Sequence, residues 1–208
     1  MSAHKPTAIN PWTYAAQFYS GDNATSSDYN QIVNNLSLLY AKPYLITSMN
    51  TALGSTATNT QLFTSNFTNV SNSPASFAGS ITNTSGTFTI PTGLSGLYRV
   101  TMRLSAISQA TAGSFSMLCT TAGGASGNNA TFASPRIAFN SNGGSDSMGS
   151  FVWTFSGNGT TGQFPTSMTF TTSSSATSTG YNGSASPTYG TASTYVQIEY
   201  LGTSNGNI

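Results

Sequence analysis

Few side chains in this sequence could do chemistry. The ionisable set is Lys5, Lys42, Arg99, Arg103 and Arg136 against Asp22, Asp28, Asp146 and Glu199, with His4 and Cys119 each occurring once. General acid–base work needs a group tuned near neutral pH and held at the reacting atom. His4 has no carboxylate near it in sequence. A paired-carboxylate glycosidase needs two acids flanking one bond. Only Asp146 and Glu199 fall in the part of the chain that reads as β, and Asp146 sits among Gly and Ser. No Cys/His spacing suits zinc, and the carboxylates are too sparse for a calcium shell of about six to eight oxygens. GGASG and NGGSD lack the strand–helix setting of a phosphate loop. The inventory predicts a non-enzymatic chain with no catalytic residues, no cofactor and no metal. Cys119, in the alternating run SFSMLCTT, reads as a small buried residue, and a lone cysteine excludes an intrachain disulfide.

Charged residues make up 4% of the 208, against about 25% in an ordinary soluble domain. Ser and Thr supply roughly a third of the chain in their place. With net charge +1, 37% hydrophobic and 12% aromatic residues, the composition is that of a packed chain and not a disordered one. A near-neutral domain has little repulsion between copies, which suits an oligomer; a neutral but well-hydrated Ser/Thr/Asn surface is the other reading. The absence of a basic run argues against nucleic acid. No stretch approaches the roughly 18 apolar residues of a membrane span. MSAHKPTAINPW shows no secretory h-region, so synthesis in a bacterial cytoplasm is expected.

Two parts must position whatever function there is. Residues 1–61 read as an anchor of arm, helix and linker. NPWTYAAQFYSGD carries Trp12, Tyr14, Phe18 and Tyr19, too many aromatics for a free tail. They are expected to dock on their own domain, a neighbouring copy or another protein. Over 25–41, Tyr29, Ile32, Val33, Leu36, Leu39 and Tyr40 form one apolar stripe at helical spacing. Thr25-x-x-Asp28 has capping-box form and Pro43 closes the far end. Such a helix is marginal alone, so Ile32, Leu36 and Leu39 are assembly-contact candidates, in a three-helix bundle or docked on the domain. Residues 45–62 lose the periodicity and read as linker.

Residues 62–208 read as a β knob. Runs rich in Phe, Thr, Val and Ile at 87–91, 96–108, 113–121, 135–140, 149–157, 164–173 and 193–202 alternate with Gly/Asn/Ser clusters. Within 96–108, Tyr98, Val100, Met102, Leu104 and Ala106 take the core-facing parity. Short strands with turn signals between them predict a sandwich or jelly roll. Polar loops are expected at 121–130, 140–149 and 173–190. The last carries Tyr181 and Tyr189, either an exposed recognition surface or loop anchors.

Two stretches carry a resemblance. Phe88, Pro91, Gly96 and Tyr98, in FTIPTGLSGLYRVT, resemble the F-x-x-P…G-x-Y signature of C1q/TNF-like jelly rolls, with a longer Pro-to-Gly spacing than is common there. The closing TYVQIEYLG is similar to that family's last strand. The likeness spans roughly residues 63–203. It implies a homotrimer, with Tyr195, Ile198, Tyr200 and Leu201 as candidates to face a three-fold axis or to fill the core. The segment PWTYAAQFYSGDNATSSDYNQIVNNLSLLYAKP resembles one found in virion proteins of tailed bacteriophages, ahead of a C-terminal knob.

The expectation is therefore a phage structural protein located in the virion. The leading form is a homotrimeric capsid decoration (cement) protein seated on the major capsid protein or another virion protein. The alternative is a tail-fibre or receptor-binding knob that recognises a host surface glycan. A free secreted lectin-like module is a third and weaker reading.

Overall fold

The computed structural model describes residues 26, 29–30, 42–51, 53–56, 59–72, 79–91, 93–106, 113–125, 127–139, 145–157, 163–175, 179–181 and 193–202. Ser26, Tyr29 and Asn30 are helical and exposed. Trp12, Tyr14, Phe18, Tyr19, Ile32, Leu36 and Leu39 lie outside the described residues, as does Tyr189.

The strands in chain order are β1 (Tyr44–Met49), β2 (Leu53–Thr56), β3 (Phe67–Asn72), β4 (Thr82–Thr84), β5 (Thr87–Thr89), β6 (Gly96–Ala106), β7 (Gly113–Ala122), β8 (Thr131–Ala133), β9 (Ile137–Phe139), β10 (Ser145–Phe155), β11 (Ser167–Ser174), β12 (Thr179–Tyr181) and β13 (Tyr195–Gly202). Sheet A runs β2-β12-β6-β13-β1-β3, with β10 also on β6; sheet B runs β4-β5-β11-β7-β8, with β9 also on β7. All these pairings are antiparallel. The principal pairs nest: β1 with β13, β5 with β11, β6 with β10, and β7 with β8 and β9. Four nested antiparallel pairs folded into two facing sheets make a jelly roll, the fold the sequence leads one to expect.

Period two drives the packing. Along β6, Tyr98, Val100, Met102, Leu104 and Ala106 are buried. They meet Phe88, Phe115, Met117, Cys119, Met168 and Phe170 from sheet B in one core. Each buried Leu, Val, Phe or Met contributes about 1.5–3 kcal/mol relative to exposure. Phe63, Phe88 and Phe170 meet edge-on, at centroid distances of 5.1–6.2 Å. Cys119 is buried as expected, and desolvation pushes its thiol far above the ordinary range.

Two expectations are corrected. Residues 45–62 are not a linker: β1 lies between β13 and β3, so the β domain begins at Tyr44 and not at residue 62. The pattern is hidden because the inward set is Leu45, Thr47 and Met49, and Thr47 reads as polar. Its hydroxyl is satisfied by Asn69 Oδ1 at 2.7 Å, which makes its full burial tolerable. The loop expected at 140–149 is also shorter, since β10 starts at Ser145. Its inward residues there are Ser147 and Gly149, kept small by the crossing chain at Ser134–Pro135. Ser147 Oγ lies 2.6 Å from Ser134 Oγ and 2.5 Å from the Pro135 carbonyl. A Cβ on Gly149 would come within 2.9 Å of Pro135 Cδ.

Candidate assembly surface

The residues of the F-x-x-P…G-x-Y stretch close one end of the sandwich. The Tyr98 phenol donates to the Leu94 carbonyl, and the Leu94 N–H donates to the Pro91 carbonyl at 3.2 Å. The Tyr98 ring lies 5.1 Å from Tyr200 and 5.6 Å from Phe155. Gly96 sits at φ +153°, and a Cβ there would fall 2.2 Å from the Gly202 carbonyl oxygen. Only glycine lets the start of β6 approach the end of β13 this closely. Burial, reinforced by neighbouring Tyr200, drives the Tyr98 phenol far above its ordinary range; burial raises Tyr200 likewise. Phe88, Tyr98, Ile198 and Tyr200 are therefore core within one chain. Gly96 is buried and Pro91 half-buried beside them.

The three-fold-axis candidates consequently divide by parity. Val196, Ile198 and Tyr200 point inward, so Ile198 and Tyr200 are not available to a neighbour. Tyr195 lies on the outer face, opposite Ser48 and Arg103, while Leu201 falls in the register shift between Tyr200 and Gly202; both are half-buried. Tyr181, read from the sequence as either an exposed recognition residue or a loop anchor, is fully buried in β12, opposite Leu53 and Ala106. Of the two readings, its burial favours the loop anchor over the exposed recognition surface.

The outer face of sheet A can be read row by row from the register. One row crosses Asn72, Tyr44, Glu199, Arg99 and Val152. The next crosses Val70, Ile46, Gln197, Thr101 and Ser150. The third crosses Thr68, Ser48, Tyr195, Arg103 and Met148, with Ser48 already buried within the single copy. Val70, Met148 and Val152 are 41%, 55% and 49% exposed. Four of the chain's nine charged side chains (five basic, four acidic) stand on this face, and they are paired there. Arg99 Nη1 lies 3.6 Å from Glu199 Oε2, and Arg103 Nη2 2.6 Å from Asp146 Oδ2. Partial burial pushes the Asp146 carboxyl up, but hydrogen bonds from Ser105 and Arg103 and the Arg103 charge together hold it below the ordinary carboxylate range.

A second, different patch lies where β8 meets β10. Phe132 and Phe151 stack at 3.8 Å, 8° from parallel, and Trp153 packs at 5.1 Å from Phe132. All three are half-buried at the core's margin.

Tyr44, Ile46, Val70, Met148 and Val152 were not singled out in the sequence. Their shared face exists only once β1, β3 and β10 are paired across the sheet. The one available signal was that Arg99, Arg103 and Glu199 take the parity opposite the apolar residues of their own strands. Among the described residues, no three His, Cys, Asp or Glu side chains gather where a metal ion could sit.

No family model and no curated protein matches the chain. Solved structures of similar fold include Eiger TNF from S. frugiperda, at 8% identity and TM-score 0.46, covering 80% of this chain and 98% of that one. Murine APRIL is similar at 10% identity and TM-score 0.47, covering 77% and 100%. PRD1 vertex protein P5 is similar at 12% identity and TM-score 0.43, covering 78% and 99%.

Proposed function

We propose that this chain is a non-enzymatic structural protein of a phage virion that assembles as a homotrimer and decorates the capsid. The observation that carries the self-assembly is the outer face of sheet A. It combines exposed apolar side chains with charges already paired inside the copy, a composition suited to being covered. The aromatic margin at Phe132, Phe151 and Trp153 supports a ring over a two-fold pair. A cyclic trimer needs two unlike patches on each copy, whereas a two-fold dimer needs one self-complementary patch. The N-terminal phage-like segment supports the virion setting, with Trp12, Tyr14, Phe18 and Tyr19 as its grip on the shell. Scarcity of acids and histidine supports a role without a catalytic step.

The tail-fibre or glycan-binding alternative loses one of its two recognition tyrosines to the core, since Tyr181 is buried. Copy number in purified virions tests the choice. Many copies distributed over the head are expected; a few copies at the tail would overturn the decoration reading. Light scattering on the purified chain tests the trimer separately.

A further inference from the structure

Where β7 ends, two loops meet at one end of the sandwich, away from the core and from the outer face of sheet A. We propose that residues 123–125, 127–129 and 163–166 there form a binding site for a neutral saccharide. Phe164 supplies the stacking face, and the side-chain amides of Asn128, Asn129 and Gln163 supply a hydrogen-bonding rim. This surface is distinct from the one around Tyr181, and the proposal does not depend on where the chain sits in a virion.

Phe164 is 40% exposed. One ring in water carries no argument alone; its setting does. The backbone on either side of it is clamped. Asn128 Nδ2 donates to the Gln163 carbonyl, the Ser156 N–H donates to the Pro165 carbonyl at 2.9 Å, and the Thr166 N–H donates to the Ala122 carbonyl at 2.9 Å. The absence of a side chain at Gly124 lets the two loops touch. A Cβ there would come within 2.9 Å of Pro165 N and 3.0 Å of the Phe164 carbonyl carbon. The ring therefore stands on a fixed base, and binding to it costs little ordering.

The rim is uncharged and pre-ordered. Asn129 Oδ1 accepts from the Gly124 N–H at 3.0 Å, and its Nδ2 donates to the Gly124 carbonyl at 3.1 Å. That leaves Asn129 a second N–H and further acceptor capacity. Gln163 is exposed, and its side-chain amide has no partner among the described residues. Amides both donate and accept, as sugar hydroxyls do, and an aromatic ring suits the apolar C–H face of a pyranose. An aromatic anchor among Gly, Ser and Asn is also the composition of adaptable recognition loops. Neither 121–130 nor 163–166 contains a charged residue, so nothing in these loops compensates an acidic or a basic ligand. Arg136 donates to Ser114 Oγ near the other end of β7, about 25 Å along the strand. Two short loops are small for a protein contact, which buries about 1,000 Å² or more, and they suit one or two sugar rings.

An array of neutral and acidic saccharides, probed with the full chain, tests this. Neutral saccharides should be retained, with no preference for acidic ones. Titration calorimetry with the best neutral oligosaccharide then compares variants. Phe164→Ala should weaken binding about tenfold or more, Phe164→Trp should preserve it, and Gln163→Ala should weaken it about threefold. Near-UV circular dichroism and the urea midpoint should stay native in all three, since both side chains are exposed. Arg136→Gln should leave binding unchanged. The proposal is overturned if no neutral saccharide is retained, if acidic saccharides are preferred, or if Phe164→Ala binds as the native chain does. It is overturned equally if the array is blank and Phe164→Ala removes the chain from assembled virions, which would make this end a protein contact. None of these results bears on trimer formation, which light scattering reads separately.

Discussion

The two outer faces of the sandwich are built from the same nearly chargeless chain, yet they are opposites. Across sheet B one register row is threonine on each of the five strands it crosses: Thr84, Thr87, Thr169, Thr120 and Thr131. The adjacent row is Thr82, Thr89, Ser167 and Ala122. Threonine gives a strand the β-branched shape it favours and still shows water a hydroxyl. Sheet A's outer face instead carries Tyr44, Ile46, Val70, Tyr195, Met148 and Val152, with ion pairs between them. Low charge thus has two meanings in one molecule. On sheet B it is a hydroxyl-rich surface, with Arg136 bonded to Ser114 Oγ on its β7–β9 side; on sheet A it is a surface suited to cover.

A matched pair of substitutions breaks that comparison most directly. Ile46 holds the middle of sheet A's central row, between Val70 and Gln197. Ile46→Asp puts a carboxylate into the proposed contact and should cost more than about 2 kcal/mol of association free energy. Sedimentation velocity should then find folded monomer where the native chain is trimer. Unchanged association would remove sheet A from the interface and return the two faces to equal standing.

How much of this contrast could be read beforehand depends on which residues carry it. The inward parity of β6 was legible because Tyr98, Val100, Met102 and Leu104 are all apolar. β1 was not, because Thr47 occupies a core position and is satisfied by a side chain 22 residues away. β10 was half legible: Phe151, Trp153 and Phe155 show its period, while Ser147 and Gly149 disguise it for the sake of Ser134 and Pro135. The face itself was illegible, since a surface shared by β3, β1, β13, β6 and β10 is a fact of pairing and not of any one segment. The glycine–tyrosine motif was visible, and its residues belong to the core within one chain, with Gly96 answering to the carbonyl of Gly202.

A change beneath both faces should act on folding and leave their difference intact. Tyr98→Phe removes the phenol that satisfies the buried Leu94 carbonyl. It should destabilise the fold by about 1–3 kcal/mol in urea denaturation, with association of the folded protein unaltered. The same tyrosines predict an alkaline limit. Tyr98 and Tyr200 hold their protons more tightly folded than unfolded. Their contribution is complete below the unfolded tyrosine value and declines as pH rises beyond about 10. Urea midpoints measured across that range should fall for the native chain and fall less for Tyr98→Phe.

The smallest effect is expected from the counterpart on the other face. Thr169 lies at the centre of sheet B's threonine row, flanked by Thr87 and Thr120. Thr169→Asp introduces the same charge as Ile46→Asp, at the equivalent depth of a sheet. If that face meets only water, the carboxylate stays hydrated and stability should shift within about 0.5 kcal/mol. Association should be indistinguishable from native at the same protein concentration. A loss of association here as large as for Ile46→Asp would mean that the threonine face is covered too. Chargelessness would then mark an interface on both sides of the sandwich, and the distinction between hydrated and covered faces would have to be given up.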